Sequence, residues 1–267
     1  MASDIRVRVF RFNPEEKAEP RFDLFSVPYS KGMTILDCLI YIKEHLDSTL
    51  AFRSSCRMGI CGSCGVMVNG FPHLACHTQV SELGTDRLEL RPLANYDVIK
   101  DLVVDLTPLF NKHKMVKPYL ISPQLTADHV REFAQTPLEL ERYLQFSYCV
   151  KCGLCIAACP TCATDKQFLG PQALAQVFRY NMDSRDVGSK DRIQVIDQPH
   201  GLWRCHLAGA CSDVCPKGVD PALAIQLLKR SVVGSWLGLT KRNVPRLVEE
   251  QEKQAPADAP KAPPLSV

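Results

Sequence analysis

Long hydrophobic runs are missing from this sequence: nowhere does it reach the ~18 to 20 uninterrupted apolar residues that a membrane-crossing helix needs. No span within the chain is therefore expected. A strong excess of either charge is also lacking, since 32 Lys and Arg stand against 29 Asp and Glu, for a formal net charge of +3. So balanced a chain has no broad basic field for nucleic acid, and no such partner is expected. The start, MASDIRVRVF, has neither signal-peptide nor transit-peptide character. A secreted disulfide framework is argued against too, because thirteen cysteines is an odd number and they fall in short, ligand-like spacings. The chain is expected to stay on the reducing side of a membrane.

Cysteine at short intervals is what the chain does have. Cys149 to Pro160 reads CVKCGLCIAACP, a C-x2-C-x2-C-x3-C-P run. Three thiols two residues apart fall on one tight loop and converge on an iron–sulfur cubane, while the fourth points to a neighbouring site. Zinc fits poorly, since it takes four ligands in a closed tetrahedron, usually from two separated C-x2-C knuckles. A second run, CHLAGACSDVCP, carries Cys205, Cys211, Cys215 and Pro216 and aligns on the first with Ala208 in the slot of the second cysteine. Because the last cysteine of each run serves the other cluster, Cys149, Cys152, Cys155 and Cys215 make a 4Fe-4S set. Cys159, Cys205 and Cys211 remain for the second site. Three thiolates imply a cubane missing one corner, a 3Fe-4S cluster; a 4Fe-4S cluster with a non-cysteine fourth ligand is the alternative. Ala208 offers no donor atom and no Asp or Glu lies nearby before Asp213, which favours three irons.

A third signature is independent of these. Cys56, Cys61 and Cys64 in SSCRMGICGSCG, followed by Cys76, have the C-x4-C-x2-C…C spacing that holds a 2Fe-2S cluster. Gly59, Gly62 and Gly65 let the backbone wrap closely round the inorganic sulfides. Its N–H groups, together with nearby charge such as Arg57, are levers on reduction potential; Arg57 reads equally well as a solvated surface residue. The scheme uses eleven of the thirteen cysteines. Cys38 lies within TILDCLIYIKEHL, a helical pattern with Thr34 and Asp37 as a capping-box variant, and reads as a buried small hydrophobe. Cys162, beside a ligand, reads as packing against the three-thiol site or facing a partner, with a ligand role the lesser alternative.

Along the chain, IRVRVF and FDLFSVPY read as strands, a helix follows from about Thr34 to Leu46, VMVNGFPHLAC gives a strand with an Asn69-Gly70 hairpin turn, and RLELRPL a closing strand. The expected fold class is α+β. Residues 1–105 read as a small sheet crossed by a helix, the β-grasp arrangement of plant-type ferredoxins. From DLVVDLTPLF onward the pattern turns helical, through TPLELERYLQF, GPQALAQVFRYNMDSRD starting at Pro171, and DPALAIQLLKRSVVGSWL with Asp220 as N-cap and Pro221 as first helical residue. Residues 106–248 are expected to be an all-α, bacterial dicluster ferredoxin-like domain. The tail 249–267, rich in Pro, Ala and charge without apolar period, reads as disordered.

A plant-type motif followed by CxxCxxCxxxCP and CxxAxxCxxxCP resembles the iron–sulfur subunit of succinate dehydrogenases and quinol:fumarate reductases. The resemblance runs through SCRMGICGSCGVMVNG, YDVIKDLVVDLTPL, FLGPQALAQVFRYNMDSRD and CPKGVDPALAIQLLK, nearly the whole chain. It implies an electron relay between a flavoprotein that interconverts succinate and fumarate at FAD and a membrane anchor holding quinone and, in some members, haem. The 2Fe-2S domain would face the flavin, the 4Fe-4S cluster would lie in the middle and the 3Fe-4S cluster nearest the membrane, with the chain peripheral on the cytoplasmic face of a prokaryotic inner membrane.

The resemblance also makes Pro160, Thr161, Trp203, His206 and Lys229 candidates for the quinone side. His206 would hydrogen-bond a quinone oxygen or pass it a proton, or else only pack near the cluster; Lys229 reads equally as a solvated lysine and Trp203 as core. In the loop after Pro160, TCATDK replaces the tryptophan-bearing segment of ubiquinone-reducing members, which favours menaquinone. His206 is closer to the succinate-oxidising style, so the direction of the reaction stays open. Trp236 would rest on the anchor or headgroup region, or pack on its own domain. Two alternatives from other classes are a subunit of a soluble fumarate reductase with a non-quinone donor and a stand-alone multi-cluster carrier.

Overall fold

The structure is a computed structural model and describes residues 4–16, 19–122, 132–239 and 245–247. The tail expected to be disordered, 249–267, lies outside the described residues. Five strands make one sheet: β1 (Asp4–Arg11), β2 (Arg21–Pro28), β3 (Gly65–Val68), β4 (Phe71–Leu74) and β5 (Arg87–Arg91), in the order β2-β1-β5-β3-β4. Strict alternation in β1 turns Ile5, Val7 and Val9 fully inward and leaves Arg6 and Arg8 outside. β1 pairs parallel with β5; the other pairings are antiparallel. The hairpin β3–β4 turns on Asn69 and Gly70, both at positive φ (49° and 87°), the pair of angles a two-residue primed turn requires.

The helix α1 (Ile35–Tyr41) covers the sheet with Ile35, Leu36, Cys38 and Leu39. Its start is the capping box read from the sequence: Thr34 Oγ1 accepts from the Asp37 N–H and the Asp37 carboxylate accepts from the Thr34 N–H at 2.8 Å. The last turns, Ile42–Leu46, widen to a π-helix. Cys38 is fully buried.

One expectation fails at DLVVDLTPLF. Instead of starting a helix, Val98–Lys100 (β6) and Val103–Val104 (β7) form a small antiparallel hairpin, and α2 (Thr107–Met115) begins only after it. The cause is Asp101 at the turn, φ 47° and 1% exposed. Its carboxylate accepts the N–H of Phe12 at 2.9 Å and of Ala51 at 2.8 Å, and Arg11 Nε at 3.2 Å. Buried donors and a buried acceptor satisfy one another there, and a helix through Asp101 would forfeit all three bonds.

Beyond α2 come β8 (Phe133–Ala134) and the helices α3 (Pro137–Ser147), α4 (Leu154–Ala157), α5 (Pro160–Thr164), α6 (Pro171–Asn181), α7 (Ser189–Ile196), α8 (Ala210–Asp213) and α9 (Pro221–Trp236). The region is not wholly helical as expected, because β8 pairs with β9 (Arg246–Leu247) in a two-residue ladder. α3 begins with Thr136 and Glu139 in a second capping box, and Asp220 caps α9 by accepting the Leu223 N–H at 2.9 Å. α6 is buried at every position from Pro171 to Phe178 and packs on α3 and α9, so it is the central post of this half. Behind it the fully buried Arg192 donates to both Asp186 oxygens, at 2.6 and 2.8 Å, and to the carbonyls of Lys117 and Tyr119.

Two apolar cores result. The first joins residues between Ile5 and Val104 with Leu154 and Ala157; the second runs from Leu109 to Val232. α4, the short helix inside the first cysteine run, is thus the piece on which the sheet rests.

Candidate metal centres

The 56–76 loop holds its sulfurs by backbone. Cys56 Sγ accepts the N–H groups of Met58, Ile60 and Cys61 at 3.5, 3.3 and 3.3 Å, and Cys76 Sγ accepts that of Gly59 at 3.2 Å. The Cys64 and Cys76 sulfurs are 3.3 Å apart. Those N–H groups pull the Cys56 thiol down to about 6, and Ser63, its hydroxyl 3.1 Å from Cys61 Sγ, lowers Cys61. Burial instead pushes Cys64 up to about 12. Arg57 is exposed and holds a left-handed φ of 56°.

The two helical runs share one backbone. Lys151 and Leu207, each two residues after the first cysteine, are left-handed (φ 56° and 62°), as are Gly153 and Gly209 two further on (φ 82° and 77°), each opening a four-residue helix. In this repeat Ala208 stands where Cys152 stands. Two cavities lie between the runs. One is lined by Cys149, Cys152, Cys155 and Cys215, with Gln172, Ala175 and Pro221 behind them. The other is lined by Cys159, Cys205 and Cys211 with Ala208, Pro160 and Thr161. The last cysteine of each run thus faces the other run's cavity.

Burial raises Cys149, lifts Cys152 to about 11 and Cys211 to about 11, and drives Cys155 well above the thiol range. Thiols so crowded out of water become anions only beside compensating positive charge, which bound iron supplies. The donor set therefore fits the clusters: soft sulfur converges on each cavity, with backbone N–H groups aimed at it. Cys159 is the exception, pulled to about 6 chiefly by a hydrogen bond from Cys162. Cys162 is buried, and it is pushed far up by that contact with Cys159 and by burial.

The quinone-side candidates scatter. Pro160 and Thr161 line the three-thiol cavity. Trp203 is 39% exposed, donates Nε1–H to Asp197 at 2.8 Å and stacks on Trp236 with centroids 5.6 Å apart. Lys229 is tied to the chain, its Nζ donating to the Cys205 carbonyl at 3.1 Å, and His206 is exposed beside it. Among the described residues no helix is long and apolar enough to cross a membrane.

Residues outside the cysteine motifs join the two halves. Gly62, at φ 74°, lies against the first helical run so closely that a Cβ there would sit 2.9 Å from Cys152 Cα and 3.0 Å from the Val150 oxygen. Asn95, itself left-handed at φ 67°, donates Nδ2–H to the carbonyls of Ile156, Ala157 and Cys159 at 2.8, 3.1 and 3.1 Å. The Tyr96 hydroxyl donates to the Gly153 carbonyl at 3.2 Å. Asp165 ties the loop after the first run to the entry of the second, accepting from His200 Nδ1 at 2.7 Å and Arg204 Nε at 3.0 Å. The reading from sequence missed Asn95, Tyr96, Asp165 and His200; the only local signal was the Asn-Tyr pair ahead of a hairpin.

Loops of this kind on a sheet and between short helices define an iron–sulfur protein with two ferredoxin-like regions. Residues 6–111 match the family described as a 2Fe-2S iron-sulfur cluster binding domain, and 145–219 match the 4Fe-4S dicluster domain. The chain is 47% identical over 229 residues to the fumarate reductase iron-sulfur subunit of Mycobacterium tuberculosis, covering 86% of this chain and 93% of that one. It is 45% identical to the fumarate reductase iron-sulfur subunit of Escherichia coli O6:H1 (84% and 91% covered) and 39% identical to the succinate dehydrogenase iron-sulfur subunit of Paracoccus denitrificans (85% and 88% covered). A chain of the Mycobacterium smegmatis Sdh1 complex in the apo form has the same fold, with a TM-score of 0.78 at 24% identity over 88% of this chain and 98% of that one. The chain belongs to the family of iron–sulfur subunits of fumarate reductases and succinate dehydrogenases.

Proposed function

We propose that this chain relays electrons between the FAD of a succinate- or fumarate-converting flavoprotein and a membrane quinone, menaquinone by the TCATDK loop, through three clusters. Cys56, Cys61, Cys64 and Cys76 would hold the 2Fe-2S cluster, Cys149, Cys152, Cys155 and Cys215 the 4Fe-4S cluster, and Cys159, Cys205 and Cys211 the 3Fe-4S cluster. When bound, the clusters supply one-electron transfer, which splits a two-electron step at flavin into single electrons for quinone. The carrying observation is the arrangement of the sulfurs: a four-thiol and a three-thiol cavity between two backbone-equivalent runs, with Ala208 at the position of the absent ligand. Ala208 has no donor atom to complete a cubane.

The residues do the positioning. Gly62 keeps the first loop in close contact with Cys152 of the four-thiol set. Asn95 and Tyr96 fix the α4 turn between the four-thiol and three-thiol cavities, and Asp165 with Arg204 fixes the approach to Cys205. Tight, preset supports of this kind hold reduction potential and distance constant as the redox state changes. Pro160, Thr161, Trp203, His206 and Lys229 would form the quinone side, the Trp203–Trp236 stack suiting an apolar boundary with an anchor subunit that carries quinone and, in some complexes, haem. In this reading residues 1–105 are a β-grasp domain, 106–248 a dicluster domain, and the chain sits peripherally on the cytoplasmic face of a prokaryotic membrane through that anchor.

The test is low-temperature electron paramagnetic resonance of the complex isolated anaerobically through a tag on this chain. Added succinate is expected to bleach a 3Fe-4S signal and raise a 2Fe-2S signal. Clusters reduced by dithionite yet untouched by succinate would replace this reading with a different electron donor.

A further inference from the structure

We infer that Gln172 sets the reduction potential of the four-thiol centre by donating a side-chain N–H to the sulfur of Cys149; this rests on the reading of Cys149, Cys152, Cys155 and Cys215 as a 4Fe-4S ligand set. Gln172 is the second residue of α6, follows Pro171, and is only 2% exposed. A long amide at so dry a position needs a reason, and its side chain lines the cavity. Nε2 lies 4.0 Å from Cys149 Sγ and 3.2 Å from His113 Nδ1, so its two N–H bonds have one acceptor each. Oε1 has no hydrogen-bond partner among the described residues.

That orphan acceptor tells which end of the amide matters. An unpaired buried carbonyl oxygen is unfavourable, so the orientation is kept for its donors. Turning the amide over would set its oxygen against the Cys149 sulfur, two electron-rich atoms in contact, and leave the NH2 group with no acceptor among the described residues. The other donors at Cys149 and Cys152 are the backbone N–H groups of Lys151, Cys152 and Leu154, which no side-chain change removes. Gln172 is thus a separable lever. An N–H directed at a ligand sulfur stabilises the extra negative charge of the reduced cluster and so raises its potential. His113 acts through Gln172, holding the second N–H so that the first points at sulfur.

The experiment is a redox titration of the whole complex followed by electron paramagnetic resonance, comparing wild type, Gln172→Ala and Gln172→Glu. In Gln172→Ala the 4Fe-4S equilibrium is expected to shift about three- to tenfold toward the oxidised form, ~30 to 59 mV lower at 59 mV per decade. Gln172→Glu, which replaces the donor with a negative oxygen, is expected to lie lower still. The 2Fe-2S and 3Fe-4S potentials stay put and report that the fold is intact. Unmoved potentials, or three potentials moving together, overturn the inference. A wild-type complex with no 4Fe-4S signal overturns the ligand reading and the inference with it, whereas a normal 4Fe-4S signal at an unshifted potential overturns the inference alone. Pulsed spectra of wild type grown on glutamine labelled with nitrogen-15 in the side chain are expected to show a coupling that Gln172→Ala lacks; its absence in the wild type also overturns it.

Discussion

The 56–76 loop and the two helical runs gather their sulfurs differently. In the loop the donors to sulfur are the next few backbone N–H groups, Met58 to Cys61, and Cys61 stands in solvent. In the helical runs each cavity draws thiols from segments more than forty residues apart, held by the packing of α6 and α9. Thiol acidity follows each sulfur's own surroundings: N–H donors bring Cys56 and a hydrogen bond from Cys162 brings Cys159 to about 6, while burial pushes Cys64 up to about 12 and drives Cys155 far up. What separates the two is assembly: the loop collects its four thiols within residues 56–76, whereas each split site needs the packed helical domain to bring its thiols together.

Cysteine substitutions break the comparison hardest. Cys61→Ala is expected to remove or disturb only the 2Fe-2S signal. Cys152→Ala, in contrast, is expected to abolish the 4Fe-4S signal and lower the melting temperature of the whole chain, because Cys152 lies under Gly62 and belongs to a split site. Spectra and thermal melts of the two variants decide it; equal effects on stability would erase the distinction.

Next in size is the seam where the two regimes touch. Gly62→Val combines a left-handed backbone with a Cβ against main-chain atoms of Cys152 and Val150, costing about 2 to 5 kcal/mol by the usual terms for each. Denaturant melts should show the loss, and flash reduction should show slower electron exchange between the first two clusters.

Asn95→Ala is smaller. It strips three carbonyls at the end of α4 of one shared donor and is expected to cost ~1 to 2 kcal/mol, with broadening of the 3Fe-4S signal while the 2Fe-2S signal holds. Much of the site outside the cysteines was beyond reach of the sequence for this reason. Asn95 reads as an ordinary turn residue until its amide is seen on carbonyls sixty residues away.

The smallest effect concerns acid. Asp165 is held down to about 2, first by His200 and then by the Gln167 N–H and Arg204, against burial. A carboxylate with a depressed folded-state value contributes stability that is full above its unfolded value of ~3.9 and is lost as pH falls through about 2. The difference in unfolding rate between wild type and Asp165→Asn should therefore be constant near neutrality and vanish in acid pH jumps between those limits. A difference that persisted below pH 2 would assign it to packing.

By itself the sequence determined what depends on neighbours in the chain. Cysteine spacing named a 2Fe-2S region and a 4Fe-4S dicluster region, alternation named β1, the Thr34–Asp37 box and the Asn69-Gly70 turn placed α1 and the β3–β4 hairpin, and Pro171 and Asp220 marked two helix starts. Each is set by a few adjacent residues and needs no partner to be recognised. Only the tertiary structure decided that Asp101 draws residues 98–104 into a hairpin in place of a helix, that Gly62 meets Cys152, that Asn95 closes the end of α4, and that Gln172 turns its amide to Cys149. Those bonds join residues far apart in the chain, and their strength comes from burial, which exists only once both cores have closed.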